Sequence, residues 1–194
     1  MGRRRRGLSF RKQRKKFNLP LFKEILLWIG EMAIVIVLAY TLVHFFGFRI
    51  NVVGNAMSPT LNNEEQIFVD RFFILITGPK AGDLVVFQPN GNEKSHYYVR
   101  RVIGCPGDTV QIKDGAVYVN GTLYEEETEV ASIVDAGLAA EEIVLSHNEY
   151  FLLGDNRNNS EDSRMANIGN VKKEHMIGKA WFYYTAWNHM GLIK

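Results

Sequence analysis

"VQIKDGAVYVNG" (Val110 to Gly121) sets the fold class. Val110 and Ile112 alternate with Gln111 and Lys113, the period of two that gives a strand one apolar face and one wet face. Asp114-Gly115 then supplies a hairpin turn, because both residue types accept positive φ at little cost. Asn120-Gly121 repeats that signal a strand later. The stretch reads as antiparallel hairpins.

Outward from it, "FRINVV", "EQIFVDRFF", "DLVVFQP", "HYYVRRVIG", "DTVQIK", "AVYVN" and "YFLLG" are short runs rich in Val, Ile, Phe and Tyr. Asn90-Gly91 and Pro106-Gly107 mark further turns. Residues 125–147 are acidic and are expected to hold a loop or short helix. "IGKAWFYYTAW" near the end is again strand-like. Its aromatic residues Trp181, Phe182, Tyr183, Tyr184 and Trp187 suit either a core or a surface resting on a membrane. Residues 49–194 are therefore expected to form an all-β domain of antiparallel strands, barrel-like.

Upstream, Ile25 to Phe48 reads "ILLWIGEMAIVIVLAYTLVHFFGF", with Glu31 as its one formal charge. As a helix it spans about 36 Å, enough for a hydrocarbon core. Bulky Phe45, Phe46 and Phe48 stand where a signal peptide would carry small cleavage-site residues, so an uncleaved anchor is expected over 23–48. Residues 1–22 carry nine basic side chains and no acid. The positive-inside rule then puts this tail in the cytoplasm and the β domain outside, with the tail against anionic membrane lipids. The β domain carries 13 basic and 19 acidic groups, which opposes nucleic-acid binding. Cys105 is the only cysteine, so no internal disulfide can form.

Three polar stretches invite a functional reading. "GDNRNNSEDSR" (Gly154 to Arg164) follows an apolar strand and is either a solvated loop or a buried network of Arg–Asp pairs bracing a site. Two arginines within it argue against a metal site. "HYYVRRVIGCPGD" puts Arg100 and Arg101 on opposite faces of a strand, one toward solvent and one toward a cleft. Neither guanidinium can act as a general base. His96 shares the parity of Arg100, though a lone His is more often structural. "GNAMSPTL" (Gly54 to Leu61) is a turn with apolar Ala56 and Met57 at its middle.

Together these segments resemble the type I signal peptidases in their compact, single-anchor form, which cut signal peptides with a Ser nucleophile and a Lys general base. "GNAMSPT", "GDLVVF", "YVRRVIGCPGD" and "GDNRNNSEDSR" follow the family pattern in order behind the anchor. The resemblance implies a signal-peptidase-like β fold and no cofactor. It puts Ala56 where the family has its Ser and Arg100 where it has its Lys. A methyl cannot form an acyl-enzyme, and an arginine holds its proton far more tightly than a lysine. Ser58 and Ser160 are the weak substitutes. Ser58 is displaced by about 6.6 Å along an extended chain, and Ser160 orients the Lys in the family. Lys94 is a still weaker stand-in for the base.

The resemblance further makes Gly54, Pro59, Thr60, Gly154, Asp155, Arg157, Asp162 and Arg164 the support of the site. Met57, Val85, Val86, Phe87, Tyr98 and Ile103 become candidates for a peptide groove, with core packing as their other role. The expectation is a non-cleaving signal-peptidase-like protein that binds extended signal-peptide or pilin-like segments of exported precursors as an accessory. The alternatives are an active signal peptidase with a displaced nucleophile, or an engineered inactive form of that enzyme.

Overall fold

A computed structural model describes residues 18–92, 94–126, 130–186 and 189–193. The basic residues Arg3 to Lys16, expected to meet anionic lipid, lie outside the described residues, as does Trp187.

Helix α1 runs Leu19–Phe46, 28 residues, about 42 Å at 1.5 Å per residue. Pro20 sits in its first turn, where a missing N–H costs nothing. No residue of α1 is buried by protein, so its apolar side chains need a non-aqueous surround, and its length and composition suit a membrane crossing. The helix starts before residue 23, because Pro20 and Leu21 are good first-turn residues. It stops short of Phe48 at Gly47, whose N–H donates to Val43 O at 2.8 Å. A Cβ there would come within 2.5 Å of that same carbonyl.

The remainder is antiparallel. Its elements are β1 (Phe48–Asn51), β2 (Gln66–Asp70), α2 (Arg71–Ile76), β3 (Leu84–Phe87), β4 (Tyr98–Gly104), β5 (Thr109–Lys113), β6 (Ala116–Val119), β7 (Thr122–Leu123), β8 (Ile143–Val144), β9 (Glu149–Leu153), β10 (Val171–Lys172), β11 (Met176–Ala186) and β12 (His189–Leu192). The larger sheet is ordered β1-β2-β11-β3-β4-β9-β10, with β12 also on β11, and the smaller is β7-β6-β5-β8. The expected all-β class, curled and barrel-like, is what forms.

The hairpin that set the reading pairs Val110 with Val119 and Ile112 with Val117. Asp114 (φ 51°) and Gly115 (φ 76°) are both left-handed, as a primed turn requires. Two readings change. "EQIFVDRFF" is not one strand: it ends at Asp70, whose carboxylate accepts the Phe72 N–H at 2.8 Å and opens α2. Within 125–147 the described structure is a 3-10 turn at Gly137–Ala140 followed by β8.

The strands pack three core clusters. One gathers around Met57, Leu61, Ile67 and Val86; a second around Val85, Phe87, Val102 and Leu152; a third around Ile103, Val110, Phe151 and Leu153. β4 and β9 touch the second and third clusters, which holds the polar segment after β9 against a rigid sheet.

Candidate active site

β4 presents its two arginines to different surroundings. Arg101 is buried: Nε donates to Asp155 Oδ1 at 2.8 Å, Nη2 to Oδ2 at 2.7 Å, and Nη1 to Gly82 O at 2.8 Å. Thr60 Oγ1 donates to the same carboxylate at 2.5 Å, which ties the 54–61 turn to β4. The expected solvent-facing arginine is therefore absent. Asp155 lies 54 positions along the chain from Arg101, and a paired guanidinium can be buried where a free one cannot.

"GDNRNNSEDSR" is a buried network, and the solvated-loop alternative falls. Arg164 Nε and Nη2 hold Asp162 at 2.9 and 2.8 Å. Its Nη2 also reaches Arg157 O at 2.5 Å. Asp162 Oδ2, which Nη2 holds, also accepts the Gly154 N–H at 3.2 Å. Arg157 pairs not with Asp155 but with Glu126, at 2.5 and 2.8 Å, and its Nε reaches Gly154 O at 3.2 Å. Both aspartates are thus engaged by arginines, and no group of three or more His, Cys, Asp or Glu among the described residues is gathered to hold a metal ion.

A cavity of about 470 Å³ opens in front of this network, between residues 52–57, 96–100 and 158–161, with Met165. Ala56 lines it, and its carbonyl accepts the Asn156 N–H at 3.0 Å. Gly54, with φ 82°, donates its N–H to Asn63 Oδ1 at 2.7 Å. A Cβ on Gly154 would overlap Ser160 Oγ and lie 2.5 Å from Ala56 O, so this glycine lets three segments close up. Ser160 lines the cavity, and its Oγ is buried with no hydrogen-bond partner among the described residues.

Arg100 also lines the cavity and is 6% exposed. Its Nε donates to Glu161 O at 2.8 Å and Nη1 to Val99 O at 2.6 Å. Its guanidinium lies 5.1 Å from the Tyr98 ring centre. Burial pulls its pKa below the ordinary arginine value, against the opposing charges of Asp162, Tyr98 and Glu161. Tyr98 Oη donates to Glu161 Oε2 at 3.0 Å. Burial first, and that bond second, raise the Tyr98 pKa.

The structure thus gathers Gly54, Ala56, Met57, Tyr98, Arg100 and Ser160 at one cavity. Thr60, Gly154, Asp155, Arg157, Asp162 and Arg164 stand behind it. Pro59 is exposed, and neither it nor Ser58 lines the cavity. Val85, Val86, Phe87 and Ile103 are not groove wall but core. Each is fully buried, because β3 lies between β11 and β4 with both faces covered and Ile103 packs into the third cluster. The sequence reading missed Glu126, which nothing near Arg157 announces, and missed Glu161 and Met165 as cavity lining.

The family described as "Signal peptidase, peptidase S26" matches residues 25–187. The chain is 38% identical over 176 residues to "Signal peptidase I P" of Bacillus subtilis subsp. natto, covering 87% of this chain and 90% of that one. It is 34% identical over 170 residues to "Signal peptidase I" of Bacillus licheniformis, covering 84% and 90%. It is 34% identical over 184 residues to "Signal peptidase I S" of Bacillus subtilis strain 168, covering 91% and 97%. Relatives that match nearly end to end and are all described as peptidases overturn the expected non-cleaving accessory role.

Proposed function

The chain belongs to the signal peptidase family, peptidase S26, and from that membership we infer that it is a membrane-bound serine endopeptidase removing signal peptides from exported precursors. It is a single-pass membrane protein, with one N-terminal helix and an extracytoplasmic β domain. In the proposed division, 1–22 is the cytoplasmic tail, 23–48 the anchor and 49–194 the peptidase domain.

The observation that carries this reading is the near-full-length similarity to type I signal peptidases. The resemblance of "GNAMSPT" and "YVRRVIGCPGD" to the family's motifs implies Ala56 at the nucleophile position and Arg100 at the base position. The attacking oxygen must then come from another side chain. Ser160 is that side chain, supported by its place in the cavity lining and by an Oγ with no hydrogen-bond partner among the described residues. Ser58 lies off the cavity lining. Attack also needs a proton acceptor. Arg100 cannot serve, whereas the imidazole of His96, which lines the same cavity, is of the right chemical type. The buried network behind the cavity holds Gly154 in place against Ser160, which matters because about 1 Å of misplacement costs about a hundredfold in rate.

A second reading, an inactivated form of the same enzyme, is favoured by the methyl at Ala56. One assay separates the two. The full chain in lipid vesicles is given a membrane-embedded precursor, beside its Ser160→Ala, Ser58→Ala and Ala56→Ser plus Arg100→Lys forms. Cleavage by the unaltered chain that is lost in Ser160→Ala supports the displaced nucleophile. Cleavage that survives Ser160→Ala and is lost in Ser58→Ala moves the role to Ser58. Cleavage by the double variant alone establishes the inactivated form.

A further inference from the structure

Four arginines of the β domain are buried near the site, and they are not alike. Arg101, Arg157 and Arg164 each hold a carboxylate with two nitrogens, at Asp155, Glu126 and Asp162. Arg100 holds none among the described residues. Its Nε and Nη1 go to backbone carbonyls, Nη2 has no hydrogen bond among the described residues, and the guanidinium carbon lies over the Tyr98 ring, 5.1 Å from its centre. A buried cation without a counter-charge is costly. This one is the arginine that lines the cavity.

The neighbouring acids do not fill the role. Asp162 is claimed by Arg164, and Glu161 turns its carboxylate to the Tyr98 hydroxyl while offering Arg100 only its main-chain oxygen. Val52, Met57 and Met165 give the cavity that Arg100 lines an apolar part. Water is held there less well, and an ionic hydrogen bond is stronger in such surroundings. A guanidinium with a free nitrogen suits a planar carboxylate.

We propose that Arg100 makes this cavity a receptor for the free α-carboxylate at the C-terminus of a peptide. The proposal rests on the peptidase reading for the source of that group. Hydrolysis of the C–N bond leaves a carboxylate on the N-terminal fragment, made from the scissile carbonyl and a water oxygen, and an amine on the other. The cavity where the bond is cut is therefore the cavity where the carboxylate appears. Arg100 retains the released signal-peptide fragment, and product competes with incoming precursor.

The test uses the full chain in detergent micelles and two probes, acetyl-Ala-Leu-Ala with a free carboxylate and the same peptide as its C-terminal amide. A charge-assisted hydrogen bond predicts tighter binding of the acid by about tenfold or more. That preference disappears in Arg100→Gln and weakens in Arg100→Lys. Equal affinity for acid and amide on the unaltered chain overturns the proposal, as does a preference that survives Arg100→Gln. Should Arg100→Gln fail to fold, the acid–amide comparison on the unaltered chain and on Arg100→Lys still decides. Failure of the peptidase reading is seen separately, as an intact precursor in the cleavage assay. An acid preference without cleavage leaves this site standing and removes only its source of ligand.

Discussion

Arg101 and Asp155 share two parallel hydrogen bonds, 2.8 and 2.7 Å, between side chains that are 2% and 0% exposed. Thr60 adds a third bond to the same carboxylate. Removing one charge strands the other in the interior. Asp155→Asn is expected to destabilise the domain by about 3–5 kcal/mol, read as a lower urea midpoint of the solubilised chain. A loss within about 0.5 kcal/mol, the level of ordinary surface substitutions, would show that Arg101 finds another partner.

Gly154→Ala should damage both stability and the cavity. The new methyl would overlap Ser160 Oγ and crowd the Ala56 carbonyl at 2.5 Å. Overpacking of this kind costs about 1–3 kcal/mol. Gly30→Ala is the control, since a Cβ there meets nothing within 4 Å and alanine favours a helix. The expected result is a lower melting temperature for the first substitution and no fall for the second.

Glu149 gives the acid limb of the stability profile a small, checkable part. The Ser146 N–H bonds its Oε2 at 3.2 Å, and this bond is the largest cause holding its pKa below the ordinary 4.5. The folded state therefore binds the proton less readily than the unfolded one. The stability this contributes is fully present above pH 4.5 and is lost as pH falls through the folded value. Glu149→Gln should lower the melting temperature slightly at pH 7 and narrow its gap to the parent under acid conditions. A gap that stays constant with pH would remove the ionic explanation.

Cys105 should alkylate slowly. Burial is the first cause raising its thiol pKa above 9.0, and the Asp108 carboxylate adds to it. Less thiolate is present at pH 8 than on a free cysteine, and the thiolate is the reactive form. Iodoacetamide at pH 8 is expected to label the folded chain more slowly than the urea-unfolded one, and equal rates would contradict this.

The parts legible in the sequence were local ones. The anchor declared itself because about 20 apolar residues in a row have few other uses. The hairpin at Val110–Gly121 declared itself because side-chain alternation and Asp-Gly turn chemistry act within a few residues. Arg164 and Asp162 are two apart and could be paired by eye. Arg71 to Phe73 misled, since two Phe residues suit a strand while the Asp70 cap starts a helix. Ala56 and Arg100 alone point to a non-cleaving accessory, and near end-to-end similarity to proteins described as signal peptidases overturns that expectation.

The sequence by itself determined a membrane helix, an antiparallel β domain and the motifs of a peptidase family, because each is written in neighbouring residues. Only the tertiary structure decided which carboxylate each buried arginine holds: Asp155 for Arg101 across 54 positions, Glu126 for Arg157 across 31, and none among the described residues for Arg100. It also decided that Val85, Val86, Phe87 and Ile103 are core while Ser160 is part of the cavity lining. Charge pairing and burial act through space, and the strand order that brings β4 beside β9 is set by packing of the whole sheet.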